Sequence, residues 1–137
     1  MLKKKTNTLS KTERLKSRKA IGILFHEGRS FSAGPLKGLF QITPQATTPS
    51  LQCGFTVSSK SFKKAVHRNR IKRLMRESYR LQKAPLLQII ENKNLTVSLF
   101  LIFRGNEIPE YDVIYQKMSE ALSKLINMVN ESNTPAA

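Results

Sequence analysis

The sequence predicts an α+β fold: a two-layer sandwich in which one roughly four-stranded sheet packs against helices. The order of the elements carries that expectation, and cysteine usage and length bound it. Stretches with period-two alternation are interleaved with stretches of helical periodicity, in the order α-β-β(-β)-α-β-α. Cys53 is the single cysteine, so no internal disulfide can form, a usage that fits a reducing compartment such as the cytoplasm. At 137 residues the chain has one-domain length. A chain of this size can bury about two-thirds of its unfolded surface, so a core needs no staples. The expected division is a basic flexible arm over 1–9, one α+β domain over 10–130 and a disordered tail over 131–137.

Each element has its own warrant. Ser10-Lys11-Thr12-Glu13 has capping-box spacing, and Ser17 is a second N-cap candidate. Ala20, Ile21, Leu24 and Phe25 recur at helical spacing and Gly28 supplies a stop, which predicts a helix over 17–27. Residues 29–35 (RSFSAGP) read as a turn-rich connection. Residues 36–43 (LKGLFQIT) and 51–58 (LQCGFTVS) read as strands. The loop PQATTPS between them is short, which suggests an antiparallel pair. Gly54 marks a bulge or a close approach. Residues 60–83 read as an amphipathic helix that Pro85 ends, with a short helical piece over 86–91 and a turn at 92–94. Residues 95–103 (LTVSLFLIF) are apolar on both faces toward their end, as a covered central strand is. Ile114, Met118, Ala121, Leu122, Leu125 and Val129 form one stripe of a last helix over 110–130, with Glu110 and Asp112 in its first turn.

Charge is distributed unevenly. The net charge is +15, of which residues 1–83 supply +17 and residues 84–137 supply −2. The stretch from Lys60 to Lys83 holds ten Lys or Arg residues and one acid, Glu77. On a helical projection Ile71, Leu74, Met75 and Ser78 fall on one side. Asn69, Lys72, Arg73, Arg76, Arg80 and Lys83 fall opposite, with Arg68 and Arg70 at the flanks. Ordinary surfaces mix both signs. Here neighbouring cations repel, and a partner with regular negative charge relieves them, so nucleic acid is the expected ligand over a bland charged face or a membrane surface, although charge alone does not choose between RNA, DNA and anionic lipid. Arg forks suit phosphate, and Asn69 can reach a base edge or a ribose hydroxyl.

Other readings are narrowed. No apolar run reaches the roughly 18 residues of a membrane span, and the N-terminus lacks a secretory apolar core. His26 and His67 stand beside no Ser, Cys or carboxylate at a suggestive spacing. One Cys and two His do not suit structural zinc. Glycine-rich phosphate loops are absent. No catalytic residues are therefore assigned. Phe25 and Phe40 are stacking candidates as well as core candidates, and Thr56, Ser58 and Lys60 share the polar side of a strand that leads to the basic helix.

The pieces Gly54-Phe55-Thr56-Val57-Ser58, Lys60 and Ala65-Val66-His67-Arg68-Asn69-Arg70-Ile71-Lys72-Arg73-Leu74-Met75-Arg76 resemble the signature of the bacterial ribonuclease P protein subunit family. The resemblance extends to Arg14-Leu15-Lys16, Phe25, residues 95–103 and the last helix; Ile21 stands where the family usually has an aromatic. It implies a left-handed β-α-β crossover around the basic helix, in a fold also seen in the second domain of a small-subunit ribosomal protein. It implies partnership with a catalytic RNA and with precursor tRNA, whose 5′ leader is removed. The RNA would carry the chemistry with Mg²⁺, with no cofactor on the protein, no membrane and no required protein partner. Arg68, Asn69, Arg70, Lys72, Arg73, Arg76 and Arg80 would bind RNA, while Phe25, Phe40, Thr56, Ser58 and Lys60 would line a leader groove. The alternatives are a ribosomal or other structural RNA-binding protein and a nuclease acting alone.

Overall fold

The computed structural model describes residues 14–15, 18–44 and 48–131. The basic arm, the Ser10–Glu13 capping box, the Ser17 cap and residues 132–137 lie outside them. Eight elements follow in order: α1 (Arg18–Glu27), β1 (Arg29–Ala33), β2 (Leu36–Thr43), β3 (Ser50–Val57), α2 (Ala65–Gln82), α3 (Ala84–Lys93), β4 (Thr96–Phe103) and α4 (Tyr111–Glu131).

The strands form one mixed sheet in the order β1-β2-β4-β3. β1 and β2 pair antiparallel, as do β2 and β4, whereas β3 and β4 run parallel. The expected β2–β3 pair is therefore corrected. The two strands do run in opposite directions, but β4 lies between them. The apolar run that was expected to be central is central.

The connection expected over 29–35 is also corrected: Arg29–Ala33 is a strand. Phe31 and Ala33 face the core and Ser30 and Ser32 do not. A Gly34-Pro35 turn returns the chain, with Gly34 at φ 59, where a side chain would be strained. Phe31 lies over Gly38 so closely that a Cβ there would fall 2.4 Å from the ring. That contact explains why a glycine stands inside β2.

Side-chain alternation divides the sheet into two faces. Leu36, Phe40, Leu51, Cys53, Val57, Val97, Leu99, Leu101 and Phe103 meet Ile71, Met75, Tyr79, Leu86, Ile90 and the α4 stripe in the main core. Leu39 and Phe100 face the other way, against Leu24 of α1 and Leu15, with Ala20, Ile21 and Ile102 at the margin. Leu15 donates its N–H to the Cys53 carbonyl at 3.0 Å, adding a short parallel bridge outside β3. Gly54 is the close approach expected of it. A Cβ there would come within 2.8 Å of both the Leu15 oxygen and the Phe100 ring.

The basic helix is shorter than its charge run. It starts at Ala65, because residues 58–64 form a loop held by their own hydrogen bonds. Pro85 does not merely end α2; it sits in the first turn of α3, where its missing N–H costs nothing. Asn94 closes α3 in the left-handed region at φ 56, with the Leu95 N–H bonded to the Ile90 carbonyl. Lys83, placed on the cationic face by projection, is corrected: it is the junction between the helices and only 2% exposed.

Two stability outcomes follow. Phe40→Ala should lower stability by about 3–5 kcal/mol in chemical denaturation, as a fully buried aromatic does. Gly54→Ala should cost about 1–3 kcal/mol by forcing Leu15 and Phe100 apart; an unchanged midpoint would mean that Leu15 does not dock on β3.

Candidate nucleic-acid interface

α2 has no Pro or Gly, and its inward stripe is Ile71, Met75, Ser78 and Tyr79, with Leu74 half-buried. Ser78 is accommodated because its hydroxyl donates to the Met75 carbonyl at 3.0 Å. The stripe packs α2 on α4 and on β3, which sets the direction in which the opposite side points. Asn69, Arg70, Arg73 and Arg76 are exposed there, and Lys72 is half-exposed. The first turn of α2 contains no acid, and its N-cap, Lys64, makes no side-chain capping bond. The positive end of the helix dipole thus adds to the cationic side chains.

Individual residues differ. The Arg76 guanidinium lies over the Phe55 ring at 5.9 Å, on the β3 flank. Arg80 pairs with Glu77, its Nε and Nη2 donating to the two carboxylate oxygens at 3.3 and 2.5 Å. That hydrogen bonding pushes the Arg80 pKa up, and it leaves Arg80 a weaker RNA candidate than Arg70 or Arg73. Arg68 is half-buried, and its Nη1 donates to the Phe62 and Lys63 carbonyls at 2.7 and 2.9 Å.

The second surface lies on the opposite side of the sheet. Phe25 is 59% exposed and stands edge-on to Phe100, with ring centroids 6.0 Å apart. On this face Phe100 neighbours Gly54 and Leu39, and the next row is Gln52, Ser98 and Gln41. Thr56 follows on the same face of β3, opposite Ile102. Ser58 lies just beyond the strand and accepts a hydrogen bond from the backbone N–H of the exposed Lys60 at 3.3 Å. Phe40 does not join them. It has no exposed surface and faces the main core, so its place in the groove is corrected. Its own strand alternation turns it away from α1, and Arg29 and Phe31 close over its ring.

Sequence reasoning missed Phe100, because β4 is apolar on both faces and alternation cannot say which residue meets α1. It also passed over Lys63 and Lys64, which are exposed loop residues rather than the helix start. Among the described residues no group of three or more His, Cys, Asp or Glu could hold a metal ion. Cys53 is buried, and desolvation pushes its thiol pKa up despite a Tyr79 hydrogen bond and the Lys83 charge. That is the environment of an inert thiol. No described helix is long and apolar enough to cross a membrane.

Known proteins share this arrangement. A family model described as Ribonuclease P matches residues 9–126. The ribonuclease P protein component of Porphyromonas gingivalis is 31% identical over 124 residues, covering 90% of each chain. That of Chlorobaculum tepidum is 39% identical over 133 residues, covering 90% of this chain and 86% of its own. Among solved structures, the Staphylococcus aureus RNase P protein superposes with a TM-score of 0.66 at 20% identity, over 84% of this chain and 96% of that one. The Thermotoga maritima RNase P protein gives 0.62 at 25% identity, over 82% and 96%. The sequence relationship and the shared sheet agree, and the chain belongs to the bacterial ribonuclease P protein components.

Proposed function

We propose that this component of ribonuclease P, an endoribonuclease of tRNA processing, binds the catalytic RNA through the outward side of α2 and holds the precursor-tRNA 5′ leader between α1 and the sheet. The observation that carries the first half is the exposed set Asn69, Arg70, Arg73 and Arg76, on a helix whose single acid is already paired with Arg80. A polyanion supplies the compensating charge that the protein does not. The second half rests on Phe25, an aromatic more than half exposed beside Phe100, with Thr56, Ser58 and Lys60 along the neighbouring strand and loop. Aromatic faces accept any base, and phosphate contacts carry little sequence information. Such a surface suits a subunit that meets many leaders.

Bond cleavage is assigned to the RNA. On this reading Mg²⁺ belongs to the RNA-containing holoenzyme. The chain's own work is to bind, orient and neutralise charge, in the cytoplasm, as one RNA-binding domain over residues 10–130.

The deciding experiment is cleavage of precursor tRNA at low Mg²⁺ with the protein, with the cognate catalytic RNA, and with both. Stimulation of the RNA supports the proposal. Cleavage by protein alone would overturn it, and no stimulation would favour a purely structural RNA-binding role. Arg70→Ala and Arg73→Ala should each weaken binding to the catalytic RNA and lower the slope of log affinity against log salt by about one unit or less. If neither changes that slope, both leave the interface. Phe25→Ala should weaken binding of leader-bearing precursor relative to mature tRNA while leaving the melting temperature nearly unchanged. A loss of about 3–5 kcal/mol in stability would instead make Phe25 part of the core.

A further inference from the structure

The loop between β3 and α2 carries three exposed lysines, Lys60, Lys63 and Lys64. Exposed lysines in a loop ordinarily have no fixed place. This loop is fixed from both ends. The Ser58 N–H donates to the Phe103 carbonyl at 3.3 Å, and the Phe62 N–H to the Ser58 carbonyl at 3.2 Å. The Phe62 ring is buried against Phe103, with centroids 6.2 Å apart. From the α2 side, Arg68 Nη1 donates to the carbonyls of Phe62 and Lys63. An Nη1 group has two hydrogens, so both are committed to the main chain. Bonds from a charged donor are about twice as strong as neutral ones. Arg68 is also half-buried, whereas Asn69, Arg70, Arg73 and Arg76 on the same helix are exposed.

We propose that Arg68 is a positioning residue for RNA binding: its guanidinium clamps the loop onto the first turn of α2 and so fixes Lys63 and Lys64 at the N-terminal end of the cationic helix. The inference rests on the reading that this side of α2 meets the catalytic RNA. It assigns Lys63 and Lys64 as phosphate contacts and gives Arg68 an indirect role through them. A guanidinium suits the task because its planar fork is pre-organised for parallel hydrogen bonds.

The test uses the full chain and the cognate catalytic RNA, with affinity measured across a series of salt concentrations. Lys63→Ala/Lys64→Ala should lower the salt slope by about one to two units; an unchanged slope overturns the proposal. Arg68→Ala should weaken binding about fivefold or more in the otherwise unchanged chain, but less than about twofold in the Lys63→Ala/Lys64→Ala background. Equal losses in both backgrounds mean that Arg68 touches phosphate by itself, and that result also overturns the proposal. A merely structural role would lower the melting temperature without this coupling in the slope. Should Arg68→Ala fail to fold, Arg68→Lys, which keeps the charge and loses the planar fork, takes its place under the same criteria. Failure of the unmutated protein to bind the RNA sinks the parent reading, and it is distinguished from the other outcomes because it appears before any substitution is made.

Discussion

Parallel pairing of β3 with β4 is the constraint from which the rest of the molecule follows. A parallel pair cannot be closed by a tight turn, so the chain must cross from the end of one strand to the start of the next. That crossover is residues 58–95, and it contains the cationic helix. Its two ends are tied to the pair itself: Ser58 N–H bonds the carbonyl of Phe103, and Ser50 N–H bonds that of Leu95. The segment with the most positive charge is therefore the one whose path the sheet dictates most closely.

The balance of forces on α2 explains why it needs that sheet. Cations three or four residues apart, such as Arg70 with Arg73 and Lys72 with Arg76, cost a few tenths of a kcal/mol each. Ile71 and Met75 are fully buried, and each contributes roughly 1.5–3 kcal/mol by leaving water. Packing outweighs repulsion, and the helix is held by its apolar stripe rather than by its own propensity. The repulsion remains on the outward side, available to be relieved by a polyanion.

Periodicity made much of this legible in advance. The α4 stripe, the inward positions of α2 and the central place of β4 are all statements about which residues share a face, and alternation reports faces directly. It does not report neighbours. Leu36–Thr43 and Ser50–Val57 alternate equally well whether they pair with each other or with a third strand between them. β1 was missed because only Phe31 and Ala33 mark its inward side, in five residues rich in serine. Lys83 and Phe40 failed for related reasons. A helical projection assumes that α2 continues past Gln82, although a junction there turns the lysine inward. In β2 both Leu39 and Phe40 are apolar, so composition could not tell which of them faced α1.

The two-sidedness of β4 ties the candidate surfaces together. Its Leu99 and Leu101 enter the main core, while Phe100 and Ile102 turn toward α1. A strand paired on both edges and packed on both faces is among the least mobile parts of a fold. Phe100 therefore gives Phe25 a fixed edge to rest against, although Phe25 itself is on a short helix with much of its ring in solvent. The same sheet orients α2 on one side and backs the aromatic pair on the other. On the proposed function, RNA strands on both surfaces would be held at a separation set by the sheet rather than by a hinge.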